Sequence, residues 1–131
     1  MEPSTRHQAR ERALSLLYEA DLKDEPPSAV LDALAVVPDP YTVGLLADVE
    51  ERRAEIDGLI GGAAIGWDLD RMPVVDRNVL RLAVAELLAR PELPVAVILN
   101  EAVELASGYS TDESGRFVNG VLATLAASIR G

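Results

Sequence analysis

Apolar residues recur along this chain at steps of three and four, the spacing that lines one face of an α-helix. Ala9, Ala13, Leu16, Leu17 and Ala20 form the first such stripe. Thr5 or Ser4 can cap this helix, which runs to about Lys23. Asp24-Glu25-Pro26-Pro27 stops it, because proline lacks the backbone donor and restrains the residue before it. Ser28 is placed to cap a short helix from Ala29 to Val36, and Pro38-Asp39-Pro40 makes the next break. A longer segment carries Tyr41, Leu45, Leu46 and Val49 on one side, with Glu50, Glu51, Arg52 and Arg53 outside. Ile56, Leu59 and Ile60 continue its apolar pattern as far as Gly61-Gly62, which reads as a helix stop.

Trp67 to Pro73 reads as a linker in which Trp67 anchors or covers the core. Pro73 suits the first turn of the following helix. There Val75, Val79, Leu80, Leu82, Val84, Leu87 and Leu88 cover most of the circumference, so this helix should be central. Its polar Asp76, Arg77 and Arg81 must then share one narrow exposed strip or an interface. After Arg90-Pro91-Glu92-Leu93-Pro94, the next helix turns Val95, Ile98, Leu99, Ala102 and Leu105 inward and ends at Gly108. Ser110-Thr111-Asp112 offer caps for a last helix with Val118, Val121, Leu122, Leu125 and Ile129 at core spacing. No strand pattern competes. The expected fold is all-α: one domain, residues 1–131, of about six or seven short helices around a buried central helix.

Composition agrees with a folded domain. The chain has 131 residues, 49% hydrophobic and 26% charged, enough to build a core. It has no cysteine, which removes disulfide and thiolate chemistry. Met1 to Arg12 is polar and lacks the apolar stretch of a secretory signal. No window approaches the ~18–20 apolar residues of a membrane span. A cytoplasmic protein without membrane contact is expected. The formal charge of −10 argues against charge-driven binding to nucleic acid in general. It leaves room for a local basic face, and Arg6, His7 and Arg10 cluster near the N-terminus.

The densest candidate chemistry lies in Glu113-Ser114-Gly115-Arg116-Phe117-Val118-Asn119-Gly120-Val121-Leu122. Here a cation, a flat ring and a carboxamide occupy four consecutive positions at the start of a predicted helix. The cation can meet a phosphate, the ring can stack on a base, and the carboxamide can bond a base edge. Phe117 is the chain's one phenylalanine. It lies about 100° around the helix from Val118, at the edge of the core face. Catalytic constellations are thin. A lone His7 supplies no metal site by itself. Glu101 and Glu104 neighbour each other on a helix and, with Asn100, read more simply as a solvated acidic face or as polar residues buried to bond a loop backbone. No nucleophile stands beside a base. A binding protein is favoured over an enzyme, with no cofactor.

Four blocks resemble one family. Arg6-His7-Gln8-Ala9-Arg10-Glu11-Arg12-Ala13, followed by Leu17-Tyr18-Glu19, is similar to the opening helix of the NusB transcription antitermination factors. Val75-Asp76-Arg77-Asn78-Val79-Leu80-Arg81-Leu82-Ala83 with Glu86-Leu87 resembles that family's buried helix. Asn100-Glu101-Ala102-Val103-Glu104-Leu105-Ala106 looks like its next helix, and Phe117-Val118-Asn119-Gly120-Val121-Leu122 its most recognisable motif. The blocks occur in family order. Residues 24–65 are only loosely similar.

The resemblance implies an all-α fold of about seven helices. It also implies binding to the boxA element of nascent RNA, notably in ribosomal RNA leaders, as a heterodimer with NusE, a small-subunit ribosomal protein. Other Nus factors and RNA polymerase complete the implied assembly, which suppresses premature termination. Carried over by position, Arg6, His7, Arg10, Arg116, Phe117 and Asn119 match RNA-contacting positions. Tyr18 and Asp76 match positions facing NusE. Many relatives are more densely basic where this chain has His7 and Gln8, and Gly115 sits in the first turn of the last helix. Some family members form homodimers, so monomer and homodimer both stand at this stage. Two rival expectations are an acidic helical adaptor that docks a basic protein without touching RNA, and a stand-alone module akin to the NusB-like domain of ribosomal RNA cytosine methyltransferases.

Overall fold

The computed structural model describes residues 5–131. Seven α-helices and one 3-10 turn make up the described chain: α1 (Arg6–Lys23), α2 (Pro27–Asp32), α3 (Pro40–Glu51), α4 (Arg53–Ala63), the turn Leu69–Arg71, α5 (Val74–Ala89), α6 (Val95–Tyr109) and α7 (Asp112–Arg130). There is no strand among the described residues, so the fold is all-α as expected.

Caps set the helix ends. Thr5 opens α1 with a reciprocal capping box: its hydroxyl accepts from the Gln8 N–H at 3.0 Å, and its own N–H donates to Gln8 Oε1 at 2.9 Å. Gln8, which looked like a missing positive charge, is thus a capping residue; Ser4 lies outside the described residues. Asp24 closes α1 in the left-handed conformation, and its N–H reaches back to Ala20 and Asp21. Thr111 caps α7 by accepting from the Ser114 N–H at 3.0 Å.

Three boundaries differ from expectation. The short second helix begins at Pro27 with no side-chain cap, and the Ser28 N–H instead donates to Glu50 Oε1 on α3. The long middle segment breaks at Arg52, whose backbone (φ −105°, ψ 20°) starts a new helix direction. Gly61, Gly62 and Gly108 lie inside the last turns rather than beyond them: α4 ends at Ala63 and α6 at Tyr109, each one residue past the expected stop. Glycine lowers helix propensity by only about 1 kcal/mol relative to alanine, a loss that packing of Ile56, Ile60 and Leu105 readily offsets.

The core is one cluster that draws on α1 through α7. Leu16, Leu17, Leu45, Leu46, Ile56, Ile60, Leu80, Leu87, Ile98 and Leu122 are all buried at under 2% exposure. Helix α5 is central, packed against α1, α3, α4, α6 and α7. The polar residues of α5 share no exposed strip. Arg81 and Asn78 are buried and Arg77 is partly so. Arg77 grips Asp21 of α1 with a fork of 2.7 and 2.9 Å, joined there by Asn78 at 2.9 Å. Arg81 bonds Asp57 of α4 at 2.9 Å and Asp21 at 3.1 Å. Burial disfavours the Asp21 carboxylate, but bonds from Arg77 and Asn78 together with the nearby cations outweigh it and hold its pKa below the usual value. These charges belong inside because they are paired and hydrogen-bonded.

The far end of α5 is tied by Arg130. Its guanidinium donates to four backbone carbonyls: Leu93 at 2.6 Å, Arg90 at 2.8 Å, Leu87 at 3.0 Å and Glu86 at 3.3 Å. A helix leaves its last carbonyls without internal partners. Here Arg130 supplies a donor to Leu87, whose usual donor position is taken by Pro91. It adds a second donor to the Glu86 and Arg90 carbonyls, which already accept backbone N–H groups.

Candidate nucleic-acid and partner interface

The start of α1 carries the first cluster. Arg6 is exposed, and its guanidinium carbon lies 3.9 Å from the centre of the Tyr41 ring on α3. His7 is half-buried and pairs across to α6, with Nδ1 2.7 Å from Glu101 Oε2. That bond, with the further pull of Glu11 and Glu104, raises the His7 pKa against the opposing effect of desolvation.

Arg10 departs from its expected role. It is 3% exposed and forms a fork with Glu86 of α5, its Nε at 3.0 and 3.1 Å from the two oxygens and its Nη2 at 2.9 Å. The Tyr41 hydroxyl donates to the same carboxylate at 2.5 Å. Arg10 therefore supports the basic end of α1 from beneath rather than standing on its surface. The physical reason is position along the axis: Arg6 and Arg10 share one face of α1, but one turn further in that face is covered by α5, where Glu86 meets Arg10. Glu86 and Tyr41 were missed by sequence reasoning. Glu86 had a signal, a carboxylate amid the apolar run of α5, which calls for a buried cation.

The second cluster straddles α6 and α7. Arg116 and Asn119 are exposed and line a groove with Asn100, Val103 and Ser107. At its floor Gly115 packs on α6: a Cβ there would stand 2.2 Å from the Ser107 hydroxyl. Gly115 thus allows two helices to approach closely. Glu101 holds His7 and the neighbouring Asn100 lines the Arg116 groove, so both basic regions flank α6.

Phe117 points elsewhere. It is partly buried and packs edge-on with Trp67, ring centres 5.9 Å apart and planes at 60°. Gly66, with φ +84°, makes the left-handed turn that presents Trp67. Trp67 is half-exposed and covers the core edge while offering an open face. Between the two rings lies a recess lined also by Pro73, Asp76, Thr111 and Ser114.

Asp76 sits in that recess at 3% exposure, with Oδ1 buried and unbonded. Its expected place facing a partner is therefore recessed. Burial pushes its pKa up, against the effect of Ser114 and Ser110. A carboxyl with a raised folded pKa favours the fold below its unfolded pKa and loses that benefit as pH rises through the folded value. Asp76→Asn should therefore raise the thermal midpoint at pH 7 and leave it nearly unchanged well below pH 4. Melting curves at both pH values check this; an equal shift at both would show that the charge is not the cause.

Tyr18 is exposed, as expected, and lines a shallow groove with Leu14, Val75 and Tyr109. The Tyr109 hydroxyl donates to Glu11 at 2.6 Å. Leu22, Tyr18, Tyr109 and Trp67 are all at least 41% exposed. Val75 and Asp76, adjacent on α5, join the Tyr18 groove to the Trp67 recess. No helix among the described residues is long and apolar enough to cross a membrane.

This arrangement has counterparts among known proteins. A model of the NusB family matches residues 7–127. A transcription antitermination protein NusB of Acidothermus cellulolyticus is 53% identical over 127 residues, covering 94% of this chain and 88% of the relative. The corresponding protein of Thermobifida fusca is 48% identical, covering 92% of this chain and 88% of its own length. Among solved structures, NusB of T. maritima superimposes with a TM-score of 0.86 at 32% identity, covering 96% of this chain and 93% of that one. A structure of the antitermination factors NusB and NusE in complex with dsRNA matches with a TM-score of 0.80 at 30% identity, covering 94% and 96%. The relatives are antitermination factors rather than enzymes, and the match runs through all the helices described above: the chain belongs to the NusB family.

Proposed function

We propose that this protein is a transcription antitermination factor that binds boxA RNA of nascent ribosomal RNA transcripts as a heterodimer with NusE. One observation carries the reading: a chain of this fold and family has been seen with both NusE and RNA, at 30% identity over nearly the whole of both chains. The RNA face comprises Arg6 and His7 at the start of α1 and Arg116 and Asn119 in the α6–α7 groove; Phe117, on the neighbouring side of α7 beside Trp67, extends it toward the recess. Arg10, locked to Glu86, shapes this face from below. The groove between α6 and α7 offers carboxamides to base edges and a cation to phosphate. Tyr18, Tyr109 and Val75 form the NusE face, with Asp76 in the adjoining recess. A chain of formal charge −10 suits a basic ribosomal protein, and complementary charge speeds encounter in a salt-sensitive way. The complex then joins other Nus factors and RNA polymerase in the cytoplasm.

The test is fluorescence anisotropy with labelled boxA RNA and a scrambled control, with and without NusE. The expected result is tight, sequence-selective binding by the NusE complex and weaker binding by the isolated chain. Equal affinity for boxA and scrambled RNA would overturn boxA recognition. Capture of NusE with no RNA binding at all would leave an acidic protein-binding adaptor.

A further inference from the structure

The ring of Tyr41, at the start of α3, gathers three guanidinium groups. Arg6 lies 3.9 Å from the ring centre, Arg90 5.4 Å and Arg10 5.9 Å. Arg10 and Arg90 are committed to carboxylates, Glu86 at 2.9 Å and Asp48 at 3.2 Å. Arg6 is exposed, with its guanidinium over the ring and within reach of the Tyr41 hydroxyl. The ring itself is fixed. Its hydroxyl donates to the buried Glu86 carboxylate, the Tyr41 N–H donates to Asp39 Oδ1 at 2.8 Å, and the side chain is half-buried against the core. Next to it, Thr42 ties α3 to α1 through the Ala9 carbonyl at 3.0 Å. The start of α1 and the ring of α3 are therefore tied to each other and to α5.

We infer that Tyr41 is a positioning residue for RNA binding: its ring holds the Arg6 guanidinium in place at the exposed start of α1, so that a phosphate meets a preorganised cation. This rests on the proposed RNA face. A guanidinium on an aromatic face keeps its N–H edge free for an acceptor. A long arginine side chain otherwise loses rotamer freedom on binding, and holding it beforehand removes that cost. The ring carries the effect; the hydroxyl also meets Arg6 and Glu86, and Tyr41→Phe separates the two. Glu86 keeps its Arg10 fork without the hydroxyl.

The experiment measures boxA affinity of the NusE complex across a salt series for Tyr41→Leu, Tyr41→Phe, Arg6→Ala and the Tyr41→Leu/Arg6→Ala pair, with thermal melts beside each. Tyr41→Leu is expected to weaken binding about three- to tenfold, the scale of one side chain immobilised on binding. Tyr41→Phe should stay within about twofold of the parent, and Tyr41→Leu should add nothing once Arg6 is alanine. A purely structural role would lower affinity equally in both backgrounds, and that result overturns the inference. Loss with Arg6→Ala but none with Tyr41→Leu also overturns it, leaving the RNA face intact. No loss with Arg6→Ala removes Arg6 from the RNA face itself. Should Tyr41→Leu fail to fold, NMR of the parent protein decides: Arg6 side-chain protons shifted upfield by the ring support the inference, and ordinary shifts overturn it.

Discussion

Replacing Arg10 with alanine is expected to destabilise the fold by ~3–5 kcal/mol, the effect of removing one partner from a buried ion pair. Domain stabilities are only about 5–15 kcal/mol, so this is a large share of the total and should lower the melting temperature markedly. The cause is Glu86. Buried at 2% exposure between α1 and α3, it would keep the Tyr41 hydroxyl but lose the guanidinium that balances its charge. Urea unfolding measures the loss, and adding Glu86→Gln in the same variant should recover part of it, because a neutral carboxamide is less costly to bury than an unpaired carboxylate. A fully stable Arg10→Ala protein that binds RNA weakly would return Arg10 to the RNA face.

The second large effect concerns Phe117. Stacking a base on an aromatic contributes ~1–3 kcal/mol, so Phe117→Ala should weaken boxA binding by the NusE complex roughly 5- to 150-fold. The ring is only partly buried and leans on the half-exposed Trp67, so its loss should destabilise less than the ~3–5 kcal/mol typical of a core phenylalanine. Arg116→Ala should behave differently. It removes a phosphate contact, so boxA and scrambled RNA should weaken alike and the salt slope should fall by about 0.7. Anisotropy at several salt concentrations, with melting curves for each variant, separates these outcomes. Phe117→Ala that melts far below the parent, or binds boxA unchanged, would make the ring a structural residue.

What periodicity could show was the helices with long apolar stripes. Helices α1, α5, α6 and α7 lie close to where those stripes put them. The division of α3 from α4 at Arg52 left no mark, because the apolar pattern runs through it unbroken. Ser28 has the chemistry of a cap but spends its N–H on Glu50, 22 residues away. The candidate site divides in the same way. The local motif from Arg116 to Asn119 is legible because its chemistry sits in consecutive residues. Arg10 and Arg81 were not, since an isolated charge reads as solvated unless its partner is known, and Glu86 is 76 residues from Arg10. Tyr41 and Trp67 gain their meaning only from neighbours brought in by folding.

The stitch made by Arg130 has a consequence for biosynthesis. Vectorial synthesis releases α5 early, yet the Leu87 carbonyl near its end, and the neighbouring carbonyls that Arg130 reinforces, wait for a donor 43 residues downstream of Leu87. At about 5–20 residues per second this leaves them exposed to solvent for roughly 2–9 s. The helix at the centre of the molecule is thus among the last to be completed in time. Nascent chains that stop short of residue 130 should hold α5 frayed at its far end, and the proposed RNA groove on α7 cannot form before the helix that finishes the core.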